Sequence, residues 1–185
     1  YKHLIEHDPI SVKTVEYYDA VMEVRLKIGA MEETENEINE IVRFFDHKGT
    51  WHTANKGNTE IIDKADDLMS SNLFFLANYF HRLAQKNDEQ RKASMPQYKQ
   101  AAHYYKMFLD RFPDHKKAYV LNFYYAEILY DQLKNYDLAA VQYERVMELD
   151  KRGEFVEDAA LGVIYAMERK MVEMGLKEDV KSGKV

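Results

Sequence analysis

The stretch His3-Leu4-Ile5-Glu6-His7 has the residue types and spacing that could hold a metal ion. It follows the H-x-x-E-H order of some zinc sites. On a helix, residues four apart share a face, so His3 and His7 could approach one ion. Zinc would still need a third protein ligand and an open position for water. The pentapeptide stands where a helix frays, Pro9 ends that helix, and nothing nearby supplies the third ligand. It reads as a solvent-exposed helix. The remaining histidines, His47, His52, His81, His103 and His115, show no ligand spacing, and no Glu-x-x-His pair suggests a di-iron bundle. Glycine loops that cradle phosphate and the Gly-x-Ser-x-Gly nucleophile turn are both missing. With no cysteine there is no disulfide, thiolate zinc ligand or thiol nucleophile. Glu32, Glu33, Glu37 and Glu40 read as a solvated face rather than an acid–base pair. The sequence therefore predicts no catalytic residue, no metal and no cofactor.

Aromatic side chains are the other candidates. Tyr104, Tyr105, Tyr124, Tyr125 and Tyr130 could form a cage around a ligand. Tyr105 and Tyr125 stand at packing positions and read as core, while Tyr124 and Tyr130 fit either role. Trp51 lies in a polar stretch between Gly49 and Gly57. It either plugs a helix junction or, if exposed, forms a binding hot spot.

Helices must position these residues. Residues 1–8 read as the end of a helix stopped by Pro9, with Ser11 as the next N-cap. From Val12 to Ile28, the residues Val15, Tyr18, Val21, Met22, Val24, Leu26 and Ile28 form an apolar stripe, and Gly29 supplies the turn. A second helix from Met31 to Phe45 turns Ile38, Ile41, Val42 and Phe45 inward, with 32–40 mostly facing water. Residues 46–58 read as a long break. Asn58 or Thr59 then caps a helix from about Glu60 to Lys86, of ~27 residues and roughly 40 Å. A polar break from Asn87 to Met95 closes at Pro96, a favoured first helical residue. Helices at 96–111, 116–133 and 136–150 follow, parted by Pro113 and by Lys134-Asn135. After Lys151-Arg152-Gly153 a last helix runs from Glu154 to Met174 and ends at Gly175. The polar tail 176–185 is expected to fray.

Composition agrees with an all-α protein. Gly (7) and Pro (3) are too scarce for a turn-rich β fold. The net charge of −6 and the mixed signs in Lys86–Lys99 argue against a nucleic-acid module. No run of 18 apolar residues occurs, so membrane insertion by a helix of this chain is not expected.

One pattern recurs. Tyr98, Ala101, Tyr105 and Phe108, followed by Pro113, are matched 38 positions later by Tyr136, Ala139, Tyr143 and Val146, followed by Asp150. A small residue with large ones four and seven positions on is a helix face that accepts a neighbouring backbone. A period between ~20 and ~50 residues points to stacked helical pairs. First helices carry a companion signature in Leu76-Ala77-x2-Phe80, Leu161-Gly162-x2-Tyr165 and, more loosely, Tyr125-Ala126-x2-Leu129.

These residues resemble tetratricopeptide repeats (TPR). The match is strong over 70–165, fair over 11–46, where Thr34 replaces the expected Ala, and marginal at the edges. The unit from Leu73 to Pro113 carries about a dozen extra residues between its helices. Within the family, Phe108, Phe112, Pro113, Ala126, Glu127, Tyr136 and Ala139 are similar to bacterial envelope members, those of outer-membrane assembly, the Tol–Pal system and gliding motility.

The resemblance implies one right-handed superhelix of about four units over 1–175, with irregular long connectors. It implies a non-enzymatic scaffold that binds another protein or peptide, in the bacterial periplasm or on the inner face of the outer membrane, otherwise in the cytoplasm. The groove residues it implies are Asn78, His81 and Arg82 in one unit and Glu127, Tyr130 and Asp131 in another. The alternative is a regulator that senses a ligand or peptide, with 88–96 as a lid. The chain opens and closes mid-unit, so a longer array is expected, with self-association through the uncovered ends.

Overall fold

A computed structural model describes residues 1–176. All regular structure among them is helical: α1 (Lys2–His7), α2 (Thr14–Ile28), α3 (Met31–Phe44), α4 (Thr50–Asn55), α5 (Thr59–Glu89), α6 (Met95–Arg111), α7 (Ala118–Glu127), a π-helical segment (Ile128–Gln132), α8 (Tyr136–Leu149) and α9 (Val156–Glu173). The all-α expectation holds for these residues. The expected frayed tail, 176–185, lies outside the described residues except for Leu176. No helix among the described residues is long and apolar enough to cross a membrane. The chain divides into two compact units, Tyr1–Leu76 and Ala77 onward, and the boundary falls inside α5.

In the first unit, α2 starts at Thr14, two residues later than the sequence suggests. Ser11 is not its N-cap. The Ser11 carbonyl instead accepts from the Thr14 amide, from the Thr14 hydroxyl at 2.8 Å and from the Trp51 indole at 3.0 Å. The buried stripe of α2 is Val15, Tyr18 and Met22, and Val24, Leu26 and Ile28 are exposed, against expectation. Val24 and Ile28 fall off the three-and-four spacing of that stripe. Gly29 closes the helix at φ 74°, its amide bonded to the Arg25 carbonyl, a conformation glycine adopts without a Cβ penalty.

The expected break at 46–58 contains a short helix, α4, which the sequence reading missed. Its inner face carries Trp51, 1% exposed, set edge-on against Phe45 with ring centroids 4.6 Å apart. Trp51 therefore plugs a junction and is no exposed hot spot. One turn on, Asn55 donates to the Ile10 carbonyl at 2.9 Å. Together the two side chains tie the segment after Pro9 onto α4.

Glu37 corrects a second expectation. It was read on a wet face, yet it is 4% exposed, and Thr34 beside it is fully buried. Lys2 reaches Glu37 at 2.5 Å and Glu40 at 2.7 Å, and Arg25 lies 3.8 Å from Glu37. Tyr18 donates to Glu40 at 2.9 Å. Burial and the Glu40 carboxylate push the Tyr18 phenol far above its usual range. Burial opposes ionisation of Glu40, but hydrogen bonds from Lys2 and Tyr18 outweigh it and hold that carboxyl low. Removing one partner of a buried pair strands the other. Lys2 is 40% exposed and rehydrates readily, whereas Glu37 does not. Lys2→Met is thus expected to cost about 2 kcal/mol and Glu37→Gln about 1 kcal/mol. Urea unfolding followed by Trp51 fluorescence would check this, and an equal or reversed order would reduce the cluster to surface charge.

In the second unit the recurring pattern forms the buried face of both helices that carry it. Tyr98, Ala101, Tyr105 and Phe108 are buried on α6, as are Ala139, Tyr143 and Val146 on α8. Ala77 and Gly162 are also buried. A Cβ added at Gly162 would stand 2.6 Å from the Tyr143 ring, so α8 and α9 meet where no side chain fits. The opposite side of α9 exposes Leu161, Ile164, Tyr165, Met167 and Met171.

Two further differences concern connectors. Helix α5 runs 31 residues to Glu89, and Met95 and Pro96 already belong to α6. Of the residues read as a break, 87–89 therefore lengthen α5 and Met95 opens α6. Residues 90–94 separate the two helices, so the segment expected as a lid over 88–96 keeps five non-helical residues, with 88–89 taken into α5 and 95–96 into α6. Beyond α7, the chain widens into the π segment, whose end is marked by the Leu133 amide bonded to the Ile128 carbonyl at 3.0 Å. No glycine or proline between 118 and 132 announces this change. Asn135 then caps α8, accepting from the Leu138 amide.

Candidate functional site

An open concavity of about 290 Å³ lies in the second unit, with His81 and Gln85 on α5, Tyr98 on α6, Phe123, Tyr124 and Glu127 on α7, and Ile128, Asp131 and Gln132 on the π segment. Three residues expected in a groove, His81, Glu127 and Asp131, meet here. The other three do not line it. Asn78 is half-buried nearly one turn before His81, Arg82 is exposed, and Tyr130 packs its ring on Tyr136 at 5.4 Å. Tyr98, assigned to packing, and Tyr124, left open, join the lining.

The walls are held in place by hydrogen bonds. His81 Nδ1 and the Tyr105 hydroxyl share one of 3.0 Å. Tyr98 donates to Asp88 Oδ2 at 2.7 Å, and Tyr143 donates to Glu127 Oε1. The His81 ring meets those of Tyr98, Tyr105 and Tyr124 edge-on, with centroids 6.1, 5.8 and 6.0 Å apart. Phe123 stacks on Phe155 at 4.4 Å.

Burial and neighbours set the protonation states. Burial, then the bond to Asp88, pushes the Tyr98 phenol up to about 12. Burial raises Tyr105 further, and burial with the Glu127 carboxylate does the same for Tyr143. Hydrogen bonds from Ser94 and Tyr98 keep the Asp88 carboxyl below its usual range. Burial lowers His81, so its imidazole is neutral at pH 7.

The lowered His81 value carries a pH prediction. The unfolded chain titrates this residue near ~6.5. The stability linked to its neutral form is complete above that pH and is lost as the pH falls through the lower, folded value. Thermal unfolding between pH 5 and 8 is expected to show a stability gain with rising pH that His81→Gln flattens. Parallel pH profiles for the two proteins would refute the assignment.

The lining offers no serine, threonine, cysteine or lysine nucleophile. It offers aromatic faces, two carboxylates and two carboxamides, a set suited to recognition. His3 and His7 are exposed on α1, and no group of three or more histidine or carboxylate side chains among the described residues is placed to hold a metal ion. A wider concavity of about 650 Å³ lies in the first unit, with apolar Val15, Met22, Leu26 and Leu68 and acidic Glu16, Asp19 and Asp67 around it. None of the expected groove residues belongs to it. No family model, curated protein or solved structure matches this chain.

Proposed function

We propose that the chain is a non-enzymatic, TPR-like scaffold that presents a groove to a peptide or helix of a partner within a multiprotein assembly. The observation that carries this reading is the concavity on α5, α6, α7 and the π segment. It is open, its walls are pinned by hydrogen bonds, and it holds aromatic, carboxylate and carboxamide groups suited to recognition. The repeated small–large face supports it from below, because Ala101, Tyr105 and Phe108 of α6 and Ala139 and Tyr143 of α8 are buried in packing and leave polar and aromatic residues of α5 and α7 for contact. The exposed apolar side of α9 suits a covering neighbour, either a further repeat or another chain.

An assembly of the bacterial envelope is the setting we infer, on the likeness of Phe108, Phe112, Pro113, Ala126, Glu127, Tyr136 and Ala139 to envelope TPR proteins. Immobilised protein exposed to a bacterial envelope extract is the direct test. Saturable retention of a protein at a fixed stoichiometry is expected. Retention of a small molecule with no protein would overturn the scaffold reading in favour of a ligand sensor.

A further inference from the structure

We infer that the concavity beside the π segment is a subsite for an arginine side chain on an extended segment of the partner, an inference that rests on the scaffold reading above. Size comes first. At about 290 Å³ the space sits at the floor of the roughly 300–1,000 Å³ usual for small-molecule pockets. It has room for one long side chain and little more, which excludes a dinucleotide or a comparable cofactor.

Charge and shape then select the occupant. The lining carries two carboxylates, Glu127 and Asp131, and no lysine or arginine. Arg82, next to His81 in sequence, is exposed and outside the lining. Asp131 makes no ion pair among the described residues, and the lining itself supplies no lysine or arginine to complement its charge. Tyr124, 36% exposed, and Phe123 bring aromatic rings to the lining against which a cation can rest. A guanidinium is planar, stacks on such rings and presents a fork of donors, whereas an ammonium is a compact, strongly hydrated point charge. Gln85 and Gln132 add carboxamide oxygens to receive the donors that a carboxylate leaves over.

The site is also preorganised. Tyr98, His81 and Glu127 are each tied to a residue outside the lining, so little side-chain freedom is lost on binding. The π segment contributes directly. It is a rare backbone form that recurs at functional sites, and it brings Ile128, Asp131 and Gln132 together into the wall.

The test is a titration of the full chain, followed by amide and aromatic NMR, with a short glycine–serine peptide bearing one arginine. The control peptide carries citrulline, which keeps the shape and loses the charge. Saturable shifts confined to Phe123, Tyr124 and Asp131 are expected with the arginine peptide, with affinity about tenfold weaker for citrulline, as for loss of a charged hydrogen bond. Asp131→Asn, at a half-exposed position, is expected to weaken arginine binding by about the same factor with unchanged amide dispersion. The citrulline comparison needs no variant and stands if Asp131→Asn misfolds. Equal binding of the two peptides, or no localised shifts with either, overturns the subsite. If a protein partner is still retained in that case, the scaffold reading survives alone. Arginine-specific shifts without any retained protein would support the subsite and count against the scaffold.

Discussion

Gly162→Leu is expected to cost about 3 kcal/mol or more by forcing α8 and α9 apart. Even a Cβ at this position would meet ring carbons of Tyr143 at 2.6, 2.7 and 2.8 Å. Tyr143 cannot swing aside freely, because its ring is buried and its hydroxyl donates to Glu127. Leucine adds three more carbons in the same direction. Gly162→Ala is the graded control. Alanine favours a helix over glycine by about 1 kcal/mol, which partly offsets the overlap, so a smaller net loss is expected. Urea unfolding by far-UV circular dichroism measures both. The mechanism has its own signature. Pairing Gly162→Ala with Tyr143→Leu should recover stability relative to the sum of the single changes, as expected for side chains in contact. Strict additivity would show that the clash lies elsewhere.

This packing was legible in the sequence because it is local and periodic. A small residue followed by large ones at helical spacing fixes a face whatever the neighbour is, and Ala101 and Ala139 lie on buried faces with Tyr105, Phe108, Tyr143 and Val146. Leu161 and Tyr165, beside the buried Gly162, are instead exposed, against their signature. Signals that depend on distant partners were not legible. Glu37 reads as a surface acid until Lys2 and Arg25 converge on it from two other helices. Helix α4 has six residues, under two turns, too short for a periodic pattern to emerge. The π segment has no marker residue at all. The connector before α6 misled for a different reason. Its polar residues suggested a loop, but a solvated face of a long helix has the same composition.

The candidate site shows the same division. His81, Glu127 and Asp131, three of the residues named from the resemblance, line one concavity. Tyr130, Asn78 and Arg82 do not join them. Tyr130 precedes Asp131 inside the widened turn, where a helix carries more residues per turn than the regular spacing assumes. Tyr98 was read as packing only, yet a residue can be buried in its ring and still present its edge and hydroxyl to an opening. Its bond to Asp88 was invisible in the sequence because 87–95 was read as a break, while the structure keeps Asp88 helical.

Trp51→Ala is expected to destabilise the first unit by about 3–5 kcal/mol, the usual cost of emptying a buried aromatic site. That is a large part of the ~5–15 kcal/mol that holds a domain folded. The indole fills the junction beside Phe45, and its N–H anchors the Ser11 carbonyl ahead of α2. Trp51→Phe separates the two contributions. It keeps a ring in the junction and loses the donor, but the Ser11 carbonyl retains the Thr14 amide and hydroxyl, so no acceptor is orphaned. The phenylalanine variant should therefore lose well under half as much as the alanine one. Hydrogen exchange reads the outcome locally, since amides of a loosened segment lose protection first. Loss of protection in α2, α3 and α4 is expected for Trp51→Ala. The wild-type indole, the chain's single tryptophan, should emit as a buried chromophore and shift to the red when these helices melt. A cost below 1 kcal/mol, with protection of these helices intact, would mean that α4 merely rests on the unit and does not hold it closed.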